Sequence, residues 1–182
     1  MGMLRYSEVK GLPVISSSDG KKIGIIEDMI FCPSRKEAKA FLLGRQGYGF
    51  QKRVVMLSEV ESIGRDAVMV NTRSSGILFK KAVEDGELQD EGDIAGLRIY
   101  SRSGEDLGEV KDILFDYKTG MVEGVEVSDG LFQDIIQGRK ILPLFGKVEF
   151  GEESLIVDRE AVDEMLNTGG GIIKKLLEQR KE

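Results

Sequence analysis

Apolar residues along this chain fall in short strings broken by clusters of glycine, aspartate and serine, a rhythm that predicts many short strands closing on small cores. In the second half, residues 97–100 read as a strand, 103–106 as a turn, and 107–115 as a longer strand in which Gly108 allows a bulge or a close backbone approach. Residues 117–120 turn the chain into 121–127, whose Val122, Val125 and Val127 suit a pleated surface, and 139–144 and 154–157 supply two more strands. Five or six short antiparallel strands leave exposed edges, and curling them into a small β-barrel removes the problem. The period changes after residue 157. Asp158 is placed to cap a helix from Arg159 to about Leu166, with Ala161, Val162, Met165 and Leu166 on one side. Beyond the glycines at 169–171, Ile172, Ile173, Leu176 and Leu177 form one stripe at helical spacing.

The first half repeats the second. Residues 11–31 align with 96–115 at an offset of 85 that becomes 84 after one deletion in a turn, so that Gly11, Ser16, Gly24, Asp28 and Phe31 recur as Gly96, Ser101, Gly108, Asp112 and Phe115. The match continues through 41–43 against 125–127, 53–57 against 140–144, and 63–70 against 150–157. The fold class expected is therefore all-β: two tandem small antiparallel β-barrels with a short C-terminal helical appendage. The boundaries read as a first module at 1–82, a polar linker at 83–92, a second module at 93–158 and a helical segment at 159–182.

Charge separates the halves. Residues 1–86 hold 14 basic and 10 acidic side chains, while 87–182 hold 12 and 22, so a net of +4 faces a net of −10. The difference of 14 charges predicts outer surfaces that serve different purposes. The whole-chain charge of −6 argues against a general nucleic-acid binder, and DNA is not an expected partner. The single cysteine, Cys32, excludes an internal disulfide, and the absence of histidine removes the commonest metal ligand and neutral-pH base, so neither metal nor cofactor is expected. No apolar run spans a bilayer, and residues 1–6 lack the basic and apolar regions of an export signal, so a reducing cytoplasmic setting is the expectation.

Three groups of residues are candidates for function. Asp28 and Asp112 recur at matched positions, but an aspartate beside a glycine bend more often bonds neighbouring backbone amides than acts as an acid or base. The segment 44–53 combines Arg45, Lys52 and Arg53 with Tyr48 and Phe50 on a glycine-rich backbone, a mixture able to stack bases and neutralise phosphates; the competing reading is a strand connection whose aromatics fold back. Its spacing fits neither a dinucleotide fingerprint nor a phosphate-binding loop that opens a helix. The stripe of Ile172, Ile173, Leu176 and Leu177 reads either as a helix folded back on a barrel or as a helix for a partner or a second copy, which admits a homo-oligomer. Membrane adsorption ranks third, because ten residues bury little area. Cys32, close in sequence to Arg35 and Lys36, has no histidine to activate it and reads as inert.

The string Gly-x-x-Ile/Val-x-Ser, a turn, then Ile/Leu-Gly-x-x-x-Asp-Ile/Met-Leu/Ile-Phe, present at both 11–31 and 96–115, resembles the signature of the PRC-barrel family, named from the cytoplasmic domain of the photosynthetic reaction centre H subunit. The resemblance implies a six-stranded β-barrel in which Gly24, Asp28, Gly108 and Asp112 hold structural positions. The family includes a domain of the ribosome maturation factor that docks on a small-subunit ribosomal protein, and small stand-alone bacterial and archaeal proteins, acting chiefly as adaptors or assembly factors. In the first copy Cys32-Pro33 replaces Asp116-Tyr117, which leaves the equivalence of that turn open. The function this implies is a non-enzymatic adaptor or assembly protein that docks protein partners through its barrel surfaces. A second reading is an RNA- or ribosome-associated maturation factor using 44–53. A third, accessory work near an electron-transfer complex, rests on the family's namesake alone.

Overall fold

A computed structural model describes residues 3–44, 52–71, 77–84, 86, 88, 94–128, 140–144 and 147–168. Contacts divide the chain into two units. The first comprises Tyr6–Asp93 with Tyr117–Met121; the second comprises Met3–Arg5, Ile94–Asp116 and the chain from Val122 onward.

In the first unit a seven-stranded sheet runs in the order β6 (Val60–Ile63), β7 (Val68–Val70), β2 (Pro13–Ser16), β3 (Lys22–Cys32), β4 (Glu37–Leu43), β5 (Arg53–Met56), β8 (Ile77–Leu78). Two short helices accompany it, α1 (Tyr6–Val9) and α2 (Phe79–Glu84). The second unit runs β12 (Lys140–Pro143), β11 (Val122–Ser128), β10 (Asp106–Asp116), β9 (Arg98–Ser101), β14 (Ser154–Val157), β13 (Val148–Phe150), and β1 (Met3–Arg5) pairs beside β10. The chain is thus all-β in character, two tandem strand-rich modules followed by helix α3 (Arg159–Thr168). One pairing in each unit is parallel, β2 with β7 and β9 with β14, a feature that alternation of apolar positions does not specify.

The two sheets share their register residue by residue. In the first unit Ile26, Asp28, Met29, Ile30 and Phe31 face Leu43, Leu42, Phe41, Ala40 and Ala38. In the second, Val110, Asp112, Ile113, Leu114 and Phe115 face Val127, Glu126, Val125, Gly124 and Val122, with irregularities at the same two places. The parallel pairs Val14↔Val68 and Ile15↔Met69 likewise recur as Ile99↔Leu155 and Tyr100↔Ile156. Turn bonds follow suit: the Gly11 amide donates to the Ile26 carbonyl at 2.9 Å, and the Gly96 amide to the Val110 carbonyl at 2.9 Å. A bulge inserted at one point shifts every later side chain to the other face, so repetition of both irregularities is a specific signature of common construction.

Inward positions of β3 and β4 supply the first core, where Phe31, Phe41 and Ile26 are fully enclosed, and Phe115, Ile99 and Leu155 do the same in the second. Each such side chain contributes roughly 1.5–3 kcal/mol on burial. A further cluster covers the other face of each long hairpin. It contains Ile30, Ala40, Val54, Ala82 and Leu88 in the first unit, and Met3, Leu114 and Ile141 in the second. Leu88, inside the polar stretch 83–92, is 1% exposed.

Two local details depend on single residues. Asp158 accepts the Ala161 amide at 3.1 Å through one carboxylate oxygen and the Lys147 amide at 3.1 Å through the other, which starts α3 and ties it to the β12–β13 connection. Ala161, Val162 and Met165 are buried as the helical stripe predicts, and α3 packs on β12. At the β3–β4 turn, Pro33–Arg35 form a 3-10 turn closed by Lys36 at φ 52°, while the matching turn of the second copy places Gly120 at φ 80°. Despite the Cys32-Pro33 replacement, the left-handed residue stays at the equivalent position. A lysine there carries a Cβ penalty that glycine escapes. Lys36→Gly is expected to stabilise the protein by about 0.5–1 kcal/mol, after allowance for the greater freedom of glycine in the unfolded chain, as a rise in the denaturation midpoint at unchanged slope.

Candidate functional site

The repeated motif residues sit on the long strands β3 and β10. The Asp28 carboxylate accepts the Met29 amide at 2.8 Å and the Tyr6 hydroxyl at 2.8 Å; the Asp112 carboxylate accepts the Ile113 amide at 2.8 Å. Each aspartate lies at the first bulge of its strand, where the ladder is interrupted and a backbone amide needs another acceptor. Gly24 and Gly108 are retained for different reasons. A Cβ on Gly24 would lie 3.1 Å from both Cβ and Cδ1 of Leu43, whereas Gly108 adopts φ 115°, a conformation that a side chain would oppose.

The second unit adds acids that the first lacks. Glu126 faces Asp112 across the ladder where Leu42 faces Asp28, and both carboxylates are buried, at 7% and 4% exposure. Arg5 on β1 donates its Nε–H to Glu126 Oε1, joining residues 121 positions apart. No buried side-chain nitrogen or oxygen among the described residues lacks a partner, so this group is held by mutual bonding. The ion pair escaped the sequence reading because neither residue belongs to a motif; the only signal was the exchange of Leu42 for an acid at a register-matched position.

On the exposed side of the same unit, the Gly108 amide and then the Arg98 guanidinium hold the Asp106 carboxyl below the usual carboxylate range. A folded pKa below the unfolded value means that this carboxylate's contribution is present above the unfolded pKa and disappears as pH falls through the folded one. Arg98→Gln is expected to raise the Asp106 pKa only part of the way, because the amide bond at 3.0 Å remains. A side-chain NMR titration that shows full recovery of the ordinary value would refute the amide's leading role. Arg102 pairs with Glu149 at 2.8 Å nearby, and Glu152 and Glu153 are exposed.

In the first unit a cleft of about 350 Å³ lies between the start of β4 and the Tyr117–Met121 turn. Its walls include Glu37, Lys39, Met56, Ser58, Tyr117 and Thr119. Glu37 and Lys39 pair at 2.5 Å, and Lys118 lines the cleft beside the hydroxyls of Ser58, Tyr117 and Thr119. Lys52 and Arg53 are exposed at the head of β5, with Arg53 in register with Leu43 and Leu78. Arg45, Tyr48 and Phe50, which complete the proposed basic loop, lie outside the described residues, as do Ile172, Ile173, Leu176 and Leu177 of the proposed interaction helix. Among the described residues no cluster of three or more metal-ligating side chains is found, and no helix is long and apolar enough to cross a membrane.

Known proteins bear on these features. The uncharacterized protein YrrD of Bacillus subtilis (strain 168) is 24% identical over 135 residues, covering 73% of this chain and 74% of the relative. The family model of the PRC-barrel domain matches residues 1–77 and again 92–163, the two stretches whose strands share one register. The chain therefore belongs to the PRC-barrel family and carries its domain twice.

Proposed function

We propose that the protein is a non-enzymatic cytoplasmic adaptor, whose two barrel modules present different surfaces to protein partners. One observation carries this reading: the modules keep the same strand register while their charge diverges from +4 to −10 between the halves. A scaffold retained in detail beneath surfaces of unlike charge serves recognition of unlike partners, since charge complementarity governs encounter and selection more than fold does. Glu152 and Glu153 are exposed, as is Glu149 beside its partner Arg102, and these acids suit a basic protein surface.

Affinity purification with mass spectrometry, with nuclease and at about 0.1 and 1 M salt, tests the proposal. The expected result is a nuclease-resistant set of proteins that high salt removes and that a Glu149, Glu152, Glu153 to Lys triple variant no longer recovers. An identical set for variant and wild type would defeat the acidic-face reading. A second reading, RNA association, is favoured by exposed Lys52 and Arg53. It requires salt-sensitive RNA binding that is lost when Arg45, Lys52 and Arg53 become alanine.

A further inference from the structure

Strand β1 is only three residues long, yet each is specifically engaged. Met3, Leu4 and Arg5 pair with Asp116, Phe115 and Leu114 of β10. Met3 packs with Leu114 and Ile141, Leu4 is 2% exposed, and Arg5 reaches the buried Glu126. The edge of β10 thus selects an extended segment of apolar, apolar, basic sequence.

Met3 lies eight residues ahead of Gly11, where the first copy of the motif opens, and Leu88 lies eight residues ahead of Gly96, where the second opens. Leu88 packs against Ile30 and Val54 of the first unit, the counterparts of the Leu114 and Ile141 that Met3 meets in the second. Each unit therefore takes a covering residue from just ahead of the other unit's copy of the motif. A module built this way receives the segment from a copy of itself, and within one chain the tandem repeat supplies that copy.

We propose that the β10 edge is a strand-acceptor site that residues 3–5 of a second copy of this chain occupy in place of the chain's own. The exchange is reciprocal and closes as a twofold pair. The chain's own strand competes at an effective concentration on the order of millimolar, so the wild type fills its own site in dilute solution. The site is independent of the adaptor reading.

Crossed charge variants test the exchange. In Arg5→Glu and in Glu126→Arg the internal pair becomes a repulsion, but each chain's strand matches the other's acceptor. Native mass spectrometry of either variant alone is expected to show a single chain near 20.1 kDa, and the equimolar mixture a heterodimer of twice that mass. The R5E/E126R double variant, with the pair restored in reverse, stays single. A mixture that remains two single species, or a heterodimer that survives Leu4→Ser in both chains, overturns the proposal. Should the charge variants lose their fold by circular dichroism, a labelled peptide of residues 1–8 and the Leu4→Ser chain decide instead. Saturable binding that falls at least tenfold for the Arg5→Glu peptide supports the site, and no binding at about 100 μM overturns it.

Discussion

Replacing Leu4 by aspartate is expected to destabilise the second unit by about 3–5 kcal/mol and to leave the first nearly unchanged. Leu4 is 2% exposed and stands opposite Phe115. Its burial contributes roughly 1.5–3 kcal/mol, and a carboxylate held at the same place without a cation would add several more. The penalty has a ceiling, because β1 can leave the sheet and take its charge into water. The loss is then whatever β1 contributes as a unit: the burial of Met3 and Leu4, three ladder positions and the Arg5–Glu126 pair. Hydrogen exchange read by mass spectrometry separates the units. Protection should fall along β10 and β11 and hold along β2, β3 and β4. An equal loss in both units, or none, would refute the assignment of β1 to the second sheet.

The same strand marks where sequence reasoning stops. The duplication was legible because glycine, aspartate and phenylalanine recur at fixed offsets, and those offsets match β3 with β10 and β4 with β11. Position 158 was legible as a helix cap for the same kind of local reason. A three-residue strand has no period to detect, and Met3 pairs with Asp116 at a separation longer than one whole repeat. Its one trace was the alignment of Met3 with Leu88, an apolar residue standing eight positions ahead of the repeated glycine in each half. The parallel pairings were hidden because apolar alternation is the same for either direction of approach. Glu126 belongs to no motif in the sequence, and its burial is offset in part by an arginine from the far end of the chain.

The repeats also diverged in how they meet one backbone demand, and this gives the second large effect. Gly120 adopts φ 80°, and a Cβ built on it would lie 2.6 Å from the Ala38 carbonyl oxygen and 3.1 Å from Glu37 Cγ. The Glu37 side chain can rotate away. The Ala38 carbonyl cannot, because Ala38 is held in register with Phe31, and its amide donates to the Gly120 carbonyl at 2.7 Å. Gly120→Ala must therefore push the turn off β4 and lengthen that bond, which costs about 0.5–1.5 kcal/mol, beyond the 1–2 kcal/mol of a side chain in the left-handed region. A total loss of about 1.5–3.5 kcal/mol is expected, seen as a Tm lower by roughly 3–14 °C for a chain of this size. A loss below about 0.5 kcal/mol would mean that the turn yields freely, and the close approach would then carry no weight. Lys36 occupies the equivalent place in the first repeat and bears the same left-handed penalty, so the reverse substitution there is expected to stabilise. Both signs follow from the left-handed φ that the two positions share, and the close approach of the Ala38 carbonyl, which an alignment of the two repeats does not contain, makes the cost at Gly120 the larger effect.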